Sequence, residues 1–355
     1  MRSVLLVVAL LVALGHGASA QYTKSAGQNA PMAAAPTTVY DKDGRAHTEM
    51  VLRPAPADTF GNAQGNQNDL AIDGAFKGQT VAVIQLYTGE GFDFSLPRAA
   101  LAEKGFSVFR WSNGVPTPAE LETALAKSSQ LWIISGDHQL LTDEHVKVIK
   151  KFFDAGHGVY IWGDNLPYYA DANFVAQALL GTTMTGDVPG DQVVGVEAKK
   201  GGVGLLPNHL LTTGLEHIYE GITIATIAPT QDLQPLIYGS ADNLVAAFYD
   251  HGGKRAILDG GFTRLYLKWD TAGTARYVKN SAAWLANSER FHDIVAVKSE
   301  TPTPPLVAHP QPSTSAPAVV VEDNGPSAWI GAIILAVVLG LGLAFLIPLW
   351  WRSRV

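Results

Sequence analysis

Short apolar runs alternate with segments of helical periodicity through the middle of this 355-residue chain. Four of the runs have the continuous apolar character of parallel strands that are buried on both faces. They are residues 80–86 (TVAVIQL), 107–111 (SVFRW), 131–135 (LWIIS) and 159–162 (VYIW). Each run is followed by apolar residues at helical spacing, and strand–helix alternation of this kind implies right-handed crossovers. The pattern therefore predicts an α/β fold with a doubly wound, mostly parallel sheet.

A hairpin and a helix close the predicted domain. Residues 244–249 and 254–258 are strand-like and flank the turn sequence Asp-His-Gly-Gly, and residues 274–286 have helical periodicity. We place the α/β domain at residues 77–298. Residues 21–76 are rich in Ala, Pro, Gln, Asn and Gly and show little periodicity. They are predicted to form a mostly flexible leader that contains one hairpin.

Two apolar segments near the ends of the chain predict export and membrane anchoring. Residues 1–20 combine a positive start, an apolar stretch and the sequence Ala-Ser-Ala, which is typical of a secretory signal peptide. Residues 327–351 are uncharged and long enough to cross a bilayer as one transmembrane helix. Arg352 and Arg354 follow this segment, so the positive-inside rule places residues 352–355 in the cytoplasm.

The remaining composition limits the location and the partners of the chain. Residues 299–326 are rich in Pro, Ser and Thr, which predicts an extended stalk between the domain and the membrane. The domain is then extracytoplasmic, in the periplasm or at the cell surface, and the membrane is one partner. A net charge of −7 argues against a nucleic-acid partner. The absence of cysteine excludes thiol nucleophiles and thiolate metal sites, and we expect neither a metal nor a cofactor.

Polar residues directly follow several of the predicted strands. In an open parallel sheet, ligands bind outside the carboxyl ends of the strands, so these residues are candidates for ligand binding. They are Glu90, Asp137, His138, Asp164, Asn165, Asp259 and Arg264. We expect them to converge on one cleft that binds an unknown protein or a carbohydrate. Tyr168 and Tyr169 add aromatic rings that can stack on a sugar.

Three strings of residues carry a family resemblance. They are residues 131–165 (LWIISGDHQLLTDEHVKVIKKFFDAGHGVYIWGDN), 208–224 (NHLLTTGLEHIYEGITI) and 252–266 (GGKRAILDGGFTRLY). In type and order they resemble the class I glutamine amidotransferase-like superfamily, within it the trehalose-utilisation-type (ThuA-like) branch. The resemblance covers residues 80–297 and implies an amidotransferase-like, flavodoxin-like sheet. Catalytic members place a cysteine in the turn after the fourth strand, where this chain has Asp164, so the resemblance leaves the catalytic residues unknown.

Each candidate residue also has a structural interpretation. Asp164 either caps the following helix or holds the turn, or it contacts a ligand. At a helix N-terminus its charged form is favoured, so we expect it to be a poor proton acceptor. Asp137 and His138 either form the oxyanion loop of the superfamily or lie in a solvent-exposed turn. Arg264 either pairs with Asp259 or contacts a ligand.

Two functions remain open at this point. The first is a non-catalytic binding or scaffolding module, held off the membrane by the stalk. The second is a ThuA-like sugar-processing enzyme that uses carboxylates at the C-terminal edge of the sheet. We favour the first function, because the chain lacks the cysteine on which the superfamily's glutamine chemistry depends.

Overall fold

An eight-stranded mixed sheet forms the centre of the computed structural model, which describes residues 22–112 and 114–291. In spatial order its strands are β4 (Ser107–Ser112), β3 (Thr80–Gln85), β5 (Gln130–Ile134), β6 (Gly158–Trp162), β14 (Lys254–Asp259), β13 (Leu244–His251), β12 (Gln234–Tyr238) and β9 (Gly204–Leu205). The first five strands pair in parallel, and the last three extend the sheet through antiparallel pairs. The predicted mostly parallel sheet and the late hairpin are both present.

The order of the parallel strands defines where a ligand can enter. The order β4-β3-β5-β6-β14 places the second strand of the series outside the first, so the chain reverses its direction across the sheet between β3 and β5. In open α/β sheets, the crevice near such a reversal, at the carboxyl ends of the strands, is the common ligand site.

Helices cover both faces of this sheet. On one face are α1 (Ser95–Glu103) and α5 (Thr274–Leu285), and on the other are α2 (Pro118–Leu125), α3 (Asp143–Asp154) and α4 (Ala170–Leu180). A short helix, α6 (Ser288–Phe291), follows α5. Successive strand residues enter different cores: Val83 joins one apolar cluster and Ile84 joins the other. Burial on both faces explains the continuous apolar runs in the sequence.

Local sequence signals set several of the helix ends. Thr117 Oγ1 accepts a hydrogen bond from the Glu120 amide at 3.3 Å, and the Glu120 carboxylate accepts one from the Thr117 amide at 2.8 Å. This reciprocal pair is a capping box, and it starts α2. Gly181 ends α4 in a left-handed conformation, with φ of 66°, which glycine adopts without steric cost.

Among the described residues, three two-stranded sheets lie outside the central sheet. Two are short antiparallel pairs: β7 (Met184–Pro189) with β11 (Thr223–Ile227), and β8 (Val193–Gly195) with β10 (His217–Tyr219). The third is a long hairpin of β1 (Met32–Tyr40) and β2 (Ala46–Pro54), whose residues are mostly exposed. This is the one hairpin that the sequence predicts within residues 21–76.

Residues 55–76 pack onto the α/β core. Leu70 and Phe76 are fully buried in the same apolar cluster as α1 and α5. Asp69, also fully buried, pairs with Lys104 next to α1 and with Lys279 of α5, each at 2.8 Å. The sequence boundary at residue 77 therefore falls inside a packed region. Glycine-rich polar sequence gave no sign of these contacts, because their partners are distant in the chain.

The predicted terminal segments lie outside the described residues. These are the signal peptide at 1–20, the stalk at 299–326, the transmembrane helix at 327–351 and the tail at 352–355. Within residues 22–112 and 114–291, no helix has both the length and the apolar character that a membrane crossing requires.

Candidate functional site

A cleft of about 230 Å³ opens at the carboxyl edge of the sheet. The loops that follow β3, β6 and β14 meet there, together with the start of β11. Three of the seven candidate residues line it, namely Glu90, Asp164 and Asn165. Their convergence follows from the fold, because parallel strands bring their carboxyl ends to one edge.

Asp164 lies at the base of this cleft, directly after β6, and is fully buried. Its Oδ1 accepts a hydrogen bond from the Asn165 amide at 2.8 Å, and its Oδ2 accepts one from the Thr263 amide at 2.7 Å. Burial raises the pKa of Asp164 to about 7, and the two amides only partly oppose this shift. A carboxyl group with this pKa can both donate and accept a proton near neutral pH.

The structure corrects the expectation that Asp164 is a poor proton acceptor at a helix N-terminus. The following helix, α4, begins only at Ala170, so Asp164 holds the turn and caps no helix. Desolvation in a closed loop, which favours the neutral form, replaces the helix dipole as the dominant influence on its pKa.

An aromatic wall borders the cleft. Tyr266 Oη donates a hydrogen bond to Tyr87 Oη at 3.2 Å, and the Tyr87 ring packs edge-on against Tyr168 with centroids 5.1 Å apart. Phe262 lies 4.9 Å from Tyr87 and completes the cluster. Burial raises the pKa of Tyr87 and of Tyr266, so both hydroxyls stay protonated at neutral pH.

Sequence reasoning singled out Tyr168 but missed Tyr87, Tyr266 and Thr263. The signal was available, because these three residues belong to the same strand-following segments as Glu90 and Arg264. They were missed because the candidates were chosen mainly for charge. A tyrosine in such a loop is as informative as a carboxylate, since it presents an apolar ring together with a hydroxyl group.

Glu90 and Asn165 lie higher in the cleft. Glu90 is exposed and sits between two glycines with φ of 53°, a left-handed conformation that is uncommon for a residue other than glycine. Its negative charge, after burial, helps to raise the pKa of Tyr87. Asn165 Nδ2 donates to the Leu166 carbonyl at 3.1 Å, which fixes the side chain at the rim.

Asp259 and Arg264 form a buried ion pair. Arg264 Nη2 lies 2.9 Å from Asp259 Oδ1, and both side chains are fully buried. Tyr277 Oη donates to Asp259 Oδ2 at 3.0 Å, and Arg264 also donates to the Glu220 carbonyl at 2.8 Å. Although burial alone would lower it, the Asp259 carboxylate keeps the pKa of Arg264 above its usual value. The structural interpretation of this pair matches the geometry.

Asp137 and His138 lie on the exposed loop after β5. The Nδ1 atom of His138 is 2.6 Å from Asp137 Oδ1, and the two side chains are 69% and 62% exposed. Neither residue lines the cleft. The expected convergence of all seven candidates on one cleft is therefore limited to three of them, and a role of Asp137 and His138 in ligand binding stays a prediction.

A larger cavity lies elsewhere, beside the edge strand β4 and helix α2. It has a volume of about 740 Å³ and a mainly apolar lining that includes Phe109 and Trp111. Its one acidic lining residue, Glu120, is already used in the capping box. We therefore assign the candidate site to the smaller cleft, where titratable and aromatic groups meet. In the described part of the chain, no group of three His, Asp or Glu side chains forms a candidate metal site.

Comparisons with known proteins give structural neighbours only. No protein-family model matches the sequence, and the search of curated proteins found no match. The solved structures that match include an exo-β-1,4-mannosidase from an Opitutaceae bacterium, with 13% identity over 59% of this chain and a TM-score of 0.34. A protein described as ThuA-like, from Parabacteroides merdae, has 12% identity, the same coverage and a TM-score of 0.38.

A third neighbour is the carbohydrate deacetylase Agd3, with 12% identity over 59% of this chain and a TM-score of 0.35. The match spans 90% of the ThuA-like protein but only 36% of the mannosidase and 32% of the deacetylase. Scores at this level do not establish a shared fold or a shared activity.

Proposed function

We propose that this chain is a membrane-anchored, extracytoplasmic binding module whose cleft holds a single sugar-like ring. The observation that carries this proposal is the meeting of three tyrosines and a buried carboxyl group in one cleft of about 230 Å³. This volume is below the roughly 300–1,000 Å³ typical of sites for drug-sized ligands, so it suits one ring.

The chemistry of the cleft suits a polyol. Tyr87, Tyr168 and Tyr266 offer ring faces and hydroxyl groups, the combination with which proteins contact amphipathic molecules. Glu90 and Asn165 add oxygen acceptors at the rim. Asp164, whose pKa burial raises to about 7, is partly protonated at neutral pH, so it can both donate a hydrogen bond to a polyol hydroxyl and accept one from it.

The proposed family is the amidotransferase-like superfamily, in its ThuA-like branch. Support comes from the three sequence strings quoted above and from the strand order 2-1-3-4-5 of the parallel strands, which flavodoxin-like sheets share. The superfamily's nucleophile position, after the fourth parallel strand, is occupied by the buried Asp164. Binding without thiol chemistry is the function that this substitution favours.

The proposal is tested by measuring the affinity of a panel of monosaccharides for the chain and its variants, using titration calorimetry. We expect Tyr168→Ala to weaken the best binder by about tenfold, because an aromatic contact beyond area burial is worth roughly 0.5–1.5 kcal/mol. The matched control is Tyr40→Ala, on the exposed hairpin, which should leave the affinity unchanged. Equal effects of the two substitutions, or no binding by any sugar, would contradict the proposal.

A second candidate function is a sugar-processing enzyme. It is favoured by one observation, the presence of two carboxyl groups, Glu90 and Asp164, in the same cleft. A pKa of about 7 suits a general acid or base at neutral pH. Turnover of a chromogenic glycoside that is lost in both Glu90→Gln and Asp164→Asn would favour this function over binding alone.

A further inference from the structure

The β1–β2 hairpin has no strand partner beyond itself among the described residues. Both strands are nine residues long, and most of their residues are exposed. An isolated two-stranded hairpin is at best marginally stable in water, whereas three or more strands with an apolar face can be stable. The hairpin therefore has the properties of a strand pair that is completed by another chain.

One face of the hairpin is free of charge. Because the register pairs Met32 with Pro54, residues of even number share this face along both strands. They are Met32, Ala34, Pro36, Thr38 and Tyr40 of β1 and Ala46, Thr48, Met50, Leu52 and Pro54 of β2, and all ten are exposed. Tyr40 is 72% exposed, and Met50 and Leu52 are each 65% exposed.

The register of the hairpin determines which backbone groups point outward from its two edges. At one end the Ala55 amide donates to the Pro31 carbonyl at 2.9 Å, and at the other the Asp41 amide donates to the Arg45 carbonyl at 3.0 Å. Inward hydrogen bonds recur every second residue, so residues of odd number bond across the hairpin and those of even number point outward.

Of the two outer edges of the hairpin, only that of β2 can accept a further strand. Pro36, an even-numbered residue of β1, lacks an amide proton and interrupts that edge, as prolines on exposed edges commonly do. The outward amides and carbonyls of β2 are uninterrupted from Ala46 to Leu52.

We propose that β2 pairs antiparallel with β2 of a second copy of this chain, about a two-fold axis at Val51. Outward-pointing Met50 then exchanges hydrogen bonds with Leu52 of the second copy. On the other face, Glu49 lies opposite Arg53 of the second copy. The two-fold axis generates two equivalent ion pairs of this kind. Opposite charges and apolar residues at facing positions are the pairs that stabilise antiparallel sheets.

Neighbouring registers are less favourable. An axis at Glu49 would place Glu49 opposite its own copy, and an axis at Met50 would leave Arg53 opposite His47 instead of an acidic residue. Like charges at facing positions destabilise a sheet. With the axis at Val51, the result is a four-stranded sheet, β1-β2-β2-β1, with one continuous apolar face.

The paired segments of the two β2 strands are short, so we expect the dimer to be weak. The strands face each other from residue 48 to residue 54 in each copy. Pro54, opposite Thr48, has no amide proton, so only Met50 and Leu52 exchange both hydrogen bonds. Such a contact is smaller than the roughly 1,200–2,000 Å² of a stable complex. We therefore expect a concentration-dependent dimer, measured by sedimentation equilibrium on the full-length chain in detergent.

A cysteine scan tests the axis, because the natural chain has no cysteine. At Val51 the two copies face each other as a non-hydrogen-bonded pair with Cα atoms about 4.5 Å apart, within disulfide range. We expect Val51→Cys to form covalent dimers under mild oxidation. His47→Cys, on the same strand but about 27 Å from its copy at 3.4 Å per residue, should not. Equal crosslinking of the two variants would overturn the proposal.

Charge reversal tests the register independently of the crosslink. Glu49→Arg and Arg53→Glu should each weaken the dimer by about tenfold, since each places like charges opposite each other twice. The double variant should restore the affinity of the natural chain. A chain that is monomeric at all concentrations, or a dimer that is insensitive to both single reversals, would exclude this interface.

Discussion

Asp164 is held close to half-protonated at neutral pH by its fully buried position. Its pKa rises from the ordinary value of 3.8 to about 7, mainly through desolvation. The folded chain therefore binds this proton more tightly than the unfolded chain. The resulting contribution to stability is complete below about pH 4 and is lost as the pH rises through about 7. At 1.36 kcal/mol per pKa unit, the ionised form costs on the order of 4 kcal/mol.

Asp164→Asn removes the titration, so its effect should depend on pH. We expect the melting temperature of the variant, relative to the natural chain, to rise between pH 5 and pH 8. At pH 5 the variant loses about 1 kcal/mol, because the amide nitrogen cannot accept the second backbone hydrogen bond. Circular dichroism melts at several pH values measure this, with the exposed Asp43→Asn as control. A pH-independent difference would contradict the raised pKa.

At the scale of elements, Asp69 joins the segment at residues 55–76 to two helices. Its carboxylate lies 2.7 Å from Arg276 and 2.8 Å from both Lys104 and Lys279. Although burial alone would raise it, Lys279 and Lys104 keep the pKa of Asp69 below its usual value. This contribution to stability is present above the unfolded pKa and is lost as the pH falls through the folded one.

Asp69→Asn should lower the free energy of unfolding by about 3–5 kcal/mol, because Asp69 is the one fully buried carboxylate that Lys104 and Lys279 share. Each lysine then keeps only a partly exposed partner, Asp73 or Glu103. Asp73→Asn is the matched control, since Asp73 also contacts Lys104, at 2.6 Å, but its side chain is 53% exposed. We expect that change to cost about 1 kcal/mol or less. Urea unfolding at pH 7 gives both values. Similar losses would mean that the buried network does not hold the segment.

At the scale of the whole molecule, we propose that the domain stands outside the cytoplasmic membrane on a stalk, with one crossing near residues 327–351. Protease added from outside should then cut within residues 299–326 and release the domain, while a tag after Val355 stays protected. The proposal rests on the apolar segment and on the arginines that follow it. Recovery of the intact chain in the soluble fraction would contradict it.

The sequence predicted the four strands at residues 80–86, 107–111, 131–135 and 159–162 to within a few residues, because burial on both faces leaves an unbroken apolar run. It also identified the edge of the sheet where Glu90, Asp164 and Asn165 meet. The place of residues 55–76 was not predictable in this way. Contacts such as those of Asp69 with Lys279 join residues that are more than two hundred positions apart.

By itself, then, the sequence determined the alternation of elements, the strand-following loops and the absence of a thiol nucleophile, since these depend on local periodicity and composition. Only the tertiary structure decided which polar groups share a cleft. Asp259 and Arg264 neutralise each other in the interior, while Asp137 and His138 remain in solvent. The pKa of Asp164 was likewise decided by folding, because desolvation depends on what surrounds a carboxyl group in space.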